Sequence, residues 1–117
     1  MPFIMSKVNI PINTAQVLQL KSRLGKAIEL LPDLSEKYLL TGFEDNFHLY
    51  LRGYNLQKIA FIEVSIFSNE NHIGYEEFSA EVTRIFVDIL SIPPQNVYIK
   101  FVDIPCWSVG GMFFDGR

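Results

Sequence analysis

The feature that most limits how this chain can fold is a strand, helix, strand pattern that occurs twice, the second copy starting roughly sixty residues after the first. In the first copy, residues 2–10 alternate: Ile4, Val8 and Ile10 share one face, Phe3, Met5, Lys7 and Asn9 share the other, and Pro11 ends the run. Asn13 and Gln16 stand at capping-box spacing, and Val17, Leu20, Leu24, Ala27, Ile28 and Leu31 recur at helical intervals as far as Pro32. Residues 38–51 read as a strand, a turn at Glu44-Asp45-Asn46 and a short second strand. In the second copy, residues 58–67 place Ala60, Ile62, Val64 and Ile66 on one side, and a polar loop at 68–74 leads into a helix. That helix carries the stripe Phe78, Val82, Ile85, Phe86 and Ile89, with Glu76 and Glu77 in its first turn, where negative charge suits the helix dipole. Past Ile92-Pro93-Pro94, residues 97–103 read as a strand, and residues 106–117 as a tail rich in glycine and aromatic side chains.

The copies echo each other in Phe3-Ile4 against Phe61-Ile62 and in Phe43-x-Asp45 against Phe101-x-Asp103. Two βαβ units that share one mixed four-stranded sheet, with two helices on one face, satisfy this pattern, and they make an α+β fold. At 117 residues the chain accommodates a single domain, 1–117. The second face of such a sheet must be buried by something, and 49% hydrophobic with 14% aromatic residues makes another copy of the chain the simplest cover.

Ten basic and thirteen acidic residues without a Lys/Arg cluster give no electrostatic footprint for nucleic acid. The start Met-Pro-Phe-Ile has no basic region and no stretch reaches membrane-span length, which predicts a protein made without a signal peptide, not inserted in a membrane and cytoplasmic. The single Cys106 has no evident activating neighbour and forms no internal disulfide. No ligand-set spacing suggests a metal; His48 and His72 read as surface or loop residues, and Trp107 as a residue packed at a subunit seam.

Pro2 is the residue with chemical potential. Removal of Met1 would make its nitrogen a terminal secondary amine, and burial would lower such an amine from the ordinary value near ~8 toward neutrality. A base that is neutral at neutral pH can abstract a proton from carbon.

With Met1-Pro2-Phe3-Ile4, Pro11, Tyr38, the doubled βαβ order, Asn96-Val97-Tyr98-Ile99-Lys100-Phe101-Val102-Asp103 and Val109-Gly110, the chain resembles the tautomerase superfamily over its whole length. The resemblance is in particular to the branch of macrophage migration inhibitory factor and D-dopachrome tautomerase. It implies a homotrimer whose three sheets form a barrel, and an active site around each Pro2 at a subunit boundary. It implies that Pro2 is the acid/base of a cofactor-independent keto-enol isomerase. Phe3, Tyr38 and Val109 match pocket positions, Tyr98 matches a tyrosine supplied by the neighbouring subunit, and Phe67 stands where a backbone amide holds the substrate.

Two departures from the family pattern bear on activity. The family's substrate-holding cation, just after the first helix, falls at Asp33 or Leu34, and an acid at Asp33 would repel an anionic substrate. Lys100, two residues beyond Tyr98 on one strand face, is the candidate replacement, the alternative being a solvated or interface lysine. Ile59-Ala60-Phe61-Ile62 replaces the family's CxxC and excludes that thiol chemistry.

The leading expectation is therefore a phenylpyruvate-type tautomerase that acts on a small α-keto acid or its enol. The alternative is a catalytically weak, cytokine-like binding protein of the same fold that engages a protein receptor after release without a signal peptide. A third reading, an isomerase or dehalogenase of another branch, would have to use Arg52 and Asp33. An open, positive pocket at Pro2 favours the enzyme; a pocket filled by Phe67, Trp107 or the tail favours the binding protein.

Overall fold

The computed structural model describes residues 1–116. In chain order the elements are β1 (Pro2–Val8), α1 (Thr14–Ala27), β2 (Leu40–Glu44), β3 (Ala60–Phe67), α2 (Tyr75–Leu90), β4 (Val97–Ile104), β5 (Cys106–Val109) and β6 (Met112–Asp115). Short 3-10 turns lie at Ile28–Leu30, Glu36–Tyr38 and Pro94–Asn96.

Helix α1 starts where the capping box requires. Asn13 Oδ1 accepts from the Gln16 amide at 2.8 Å, and Gln16 Oε1 accepts from the Asn13 amide at 3.0 Å. The helix ends at Ala27 and tightens into a 3-10 turn before Pro32. The parallel pairs β1/β2 and β3/β4 need crossovers, which α1 and α2 supply, and β1 and β3 join the two units antiparallel in the order β2-β1-β3-β4. Alternation sends Ile4, Val8, Ile62, Val64 and Ile66 to one face, where they bury against Leu20, Leu24, Ile28, Phe78, Val82, Ile85 and Phe86 of the helical layer. Arg23 of α1 ties the helices together by reaching Asp88 of α2 at 2.9 Å and Glu81 at 3.7 Å.

The opposite face carries Phe3, Met5, Phe61, Glu63, Tyr98, Lys100 and Val102 in register, and both helices pack away from it. Tyr98 on this face is 51% exposed.

Two expectations need correction. The second strand expected within residues 38–51 does not form: Asn46 and Phe47 donate their amides to the carbonyls of Ile10 and Val8, and beyond them only an isolated bridge, Leu51 to Tyr54, remains. Lys58 stays outside β3 because its ammonium donates to the Leu90 carbonyl at the end of α2. The tail at residues 106–115 is a hairpin turned at Gly110 and Gly111, both with positive φ, as a two-residue hairpin turn requires. Among the described residues no helix is long and apolar enough to cross a membrane.

Gly74 precedes α2 with φ +84, and a Cβ there would collide with the Leu30 carbonyl. Gly74→Ala is therefore expected to destabilise the fold by about 2 kcal/mol or more, as both strain and overlap act against it. A urea midpoint indistinguishable from wild type would contradict this.

Candidate active site

Pro2 opens β1, a position where a strand loses nothing by lacking an amide proton. Its partners across the sheet are Ile66 of β3 and, one strand further, Asp103 of β4. Pro2 is buried, and it lines an open cleft of ≈ 670 Å³ together with Met1, Tyr38, Leu40, Val109 and Phe114. The β5–β6 hairpin forms the far wall. It is held by the Phe114 ring edge-on to Phe67, centroids 6.4 Å apart, and by the Gly116 amide donating to the Pro105 carbonyl.

The amino group of Met1, one residue before Pro2, is partly desolvated. Burial lowers the Met1 α-amine below its ordinary value. The Phe67 amide donates to the Met1 carbonyl at 3.3 Å, so loss of Met1 would free a backbone donor beside the new Pro2 amine.

Lys37 also lines the cleft, and sequence reasoning did not select it. It sits in the 3-10 turn Glu36–Tyr38, next to Tyr38, with Nζ 5.4 Å from the Tyr38 ring centroid, and it has no ion pair among the described residues. Neighbouring Glu36 fixes the turn, lying over Gly25 of α1 and pairing with Lys21 at 3.5 Å. The usable signal was adjacency to Tyr38. The path from α1 to that turn is irregular, with a left-handed residue at Asp33, φ 60, so helical or strand periodicity does not place Lys37.

Of the other expected site residues, Tyr38 and Val109 lie at the cleft, and Phe67 lies at its edge through its amide. Phe3 points to the helix-free face. Tyr98 and Lys100 are not brought to Pro2 within one protomer. Lys100 stands opposite Glu63, which it meets at 3.3 Å, two strands away from Pro2 and about 10 Å along the strand from the Pro2 row. Asp33 lines a separate polar crevice with Ser68, Asn69 and Glu70.

His72 is an exposed loop residue, as its sequence context suggests, and it has partners. Its Nε2 lies 2.7 Å from Asp103 Oδ2, its ring stacks on Tyr75, and the Tyr75 hydroxyl donates to Asp103 Oδ1 at 3.1 Å. The hydrogen bond from His72, followed by that from Tyr75, holds the Asp103 carboxyl below the usual carboxylate range. Burial and then Asp103 push the Tyr75 phenol well above its ordinary value. Because the folded carboxyl ionises below the unfolded value near ~4, its contribution is present above that value and is lost as pH falls through the folded one. Both partners of the His72–Asp103 pair are half exposed, which limits the contribution to at most about 1 kcal/mol. The stability gap between wild type and Asp103→Asn, read from urea midpoints, should be present at neutral pH and close below pH ~4. A gap unchanged to pH ~2 would contradict the assignment.

No family model matches the chain, and no curated protein matches it in sequence. Its fold is similar to that of solved structures. A macrophage migration inhibitory factor homologue from Prochlorococcus marinus is 25% identical, with a TM-score of 0.80 over 96% of this chain and 98% of that one. MIF2 of Leishmania major superposes with a TM-score of 0.87 at 16% identity over 97% of both chains. Pt0534, solved after inactivation by 2-oxo-3-pentynoate, gives 0.79 at 13% identity over 97% and 96%. The chain has the βαβ-doubled fold of the macrophage migration inhibitory factor and tautomerase superfamily.

Proposed function

We propose that this chain, once Met1 is removed, is a cofactor-independent keto-enol tautomerase for a small aryl α-keto acid or its enol, of the macrophage migration inhibitory factor and D-dopachrome tautomerase branch. The observation that carries the reading is the buried Pro2 facing an open cleft in which Lys37 stands without an acidic partner among the described residues. A keto acid reagent, 2-oxo-3-pentynoate, inactivates Pt0534, whose fold is the same, and this supports the substrate class.

In this mechanism the Pro2 amine takes a proton from the carbon beside the keto group, the keto oxygen becomes an enolate, and the ammonium delivers that proton to the oxygen to give the enol, the reverse sequence returning the keto acid. Negative charge on that oxygen is met by the Phe67 amide and by Tyr98 of a neighbouring copy. Lys37 pairs with the carboxylate, with Lys100 of the neighbour as the second candidate for that role. Tyr38, Val109 and the hairpin offer apolar surface for the ring at the far end of the cleft. The cleft is open and bears a cation, which favours the enzyme over a receptor-binding protein with a vestigial site.

This reading requires an oligomer, because Tyr98 and Lys100 reach a Pro2 only from another subunit; the resemblance makes it a homotrimer, and the helix-free sheet face is the surface that would be buried. The test is light scattering together with an enol-trapping assay on aryl pyruvates, using processed protein and protein that retains Met1. A trimer is expected, with turnover confined to the processed form. A stable monomer, or equal rates for both forms, would overturn the reading.

A further inference from the structure

At the end of the sheet opposite Pro2, where β3 and β4 begin, a second cavity of ≈ 210 Å³ lies between residues 51–59 and Asn96. Its floor is Ile59 and Asn96, both buried. The segment below it is firmly tied: Asn9 accepts from the Ile59 amide and donates to the Gln57 carbonyl, at 2.8 and 2.9 Å.

Asn96 is wholly buried, and its Nδ2 donates to Gln57 Oε1 at 2.9 Å and to the Lys58 carbonyl at 3.0 Å. A peptide carbonyl only accepts, so Lys58 fixes the orientation of the amide and leaves Asn96 Oδ1 buried with no donor. Native interiors rarely leave such an acceptor unmet.

The walls are apolar and unusually bare, since Tyr54 is 70% and Leu56 is 88% exposed. At the rim, Arg52 and Gly53 turn the Leu51–Tyr54 bridge with φ values of 53 and 83. Asparagine or glycine normally occupies that left-handed first position, and strain of this kind gathers at ligand sites. Arg52 has no ion pair or side-chain hydrogen bond among the described residues.

A buried acceptor below, bare apolar walls between and a free guanidinium above define a complementary ligand. We propose that this cavity binds a small aryl carboxylate with a hydroxyl across the ring from its carboxylate. Binding displaces the Gln57 side chain from Asn96 Nδ2, which keeps the Lys58 carbonyl; the hydroxyl then reaches and donates to Asn96 Oδ1, the ring packs on Leu51, Tyr54 and Leu56, and the carboxylate pairs with Arg52. The site is separate from the Pro2 cleft and does not depend on the reaction proposed there.

The probe is 4-hydroxybenzoate, titrated into isotope-labelled protein and followed by two-dimensional NMR, with benzoate as the ligand that lacks the donor. Saturable shifts are expected at the amides of residues 51–59 and at the Asn96 side-chain amide. Benzoate should bind at least about ten-fold more weakly, because it cannot satisfy the buried acceptor. Arg52→Gln should weaken 4-hydroxybenzoate by about ten-fold or more while leaving its other resonances, and any aryl pyruvate turnover, as in wild type. Shifts confined to Tyr38, Trp107 and Val109 would overturn the proposal, as would equal affinity for the two probes, indifference to Arg52→Gln, or shifts that never saturate.

Discussion

Pro2→Gly in the processed protein is expected to lower kcat/KM for aryl pyruvate enolisation by about 10²–10³-fold, most of what a positioned general base contributes. Glycine keeps a terminal amine, but it loses the ring that fixes the direction of the lone pair and fills the buried position at the start of β1. The base acts in its neutral form, and burial already lowers the amine at this end of the chain. Wild-type kcat/KM should therefore rise with pH through a value below the ordinary ~8, and the variant should lose that limb. Thermal melting and oligomeric state should be nearly unchanged. A loss under about ten-fold would move proton transfer to another group.

Lys37→Ala is expected to weaken aryl pyruvate binding by about ten- to a hundredfold, seen chiefly in KM, because a charge-assisted hydrogen bond contributes about 1.5–3 kcal/mol. Among the described residues Lys37 has no acidic partner to leave stranded, so stability should change little. Lys100→Ala is the discriminating companion. Lys100 meets Glu63 at 3.3 Å, and its removal leaves that carboxylate half-buried and unpaired. If Lys100→Ala raises KM more than Lys37→Ala, the neighbouring subunit supplies the substrate cation. If Lys37→Ala leaves KM at the wild-type value, the cleft cation does not hold the substrate.

The elements legible in the sequence are those determined by interactions between residues close along the chain. The Asn13–Gln16 box starts α1 because each side chain reaches the other's amide across a single turn. Alternation in residues 2–8 and 60–67 selects strands and their buried faces, and the 3.6-residue stripe of Phe78, Val82, Ile85 and Phe86 selects a helix that must pack against them. Once two βαβ units are recognised, parallel pairing, the antiparallel junction and a one-sided helical layer follow from connection rules. Pro2 stood out because removal of Met1 would expose its amine, whereas Tyr38 and Val109 entered only through the resemblance to the tautomerase superfamily; the fold brings all three to one cleft.

What only tertiary structure decided lies where irregular backbone brings distant residues together. Lys37 enters the cleft because a left-handed Asp33 and a turn pinned by Glu36 on α1 redirect the chain. His72 finds Asp103 thirty-one positions away only because the loop before α2 folds back on the end of β4. Residues 57–59 stay out of a regular ladder at their start because side chains of Asn9 and Asn96 take up the Gln57 and Lys58 carbonyls and the Ile59 amide. In each case an apolar pattern specifies which face is buried, but the partner of a single polar side chain depends on the path of a loop, which local periodicity does not encode.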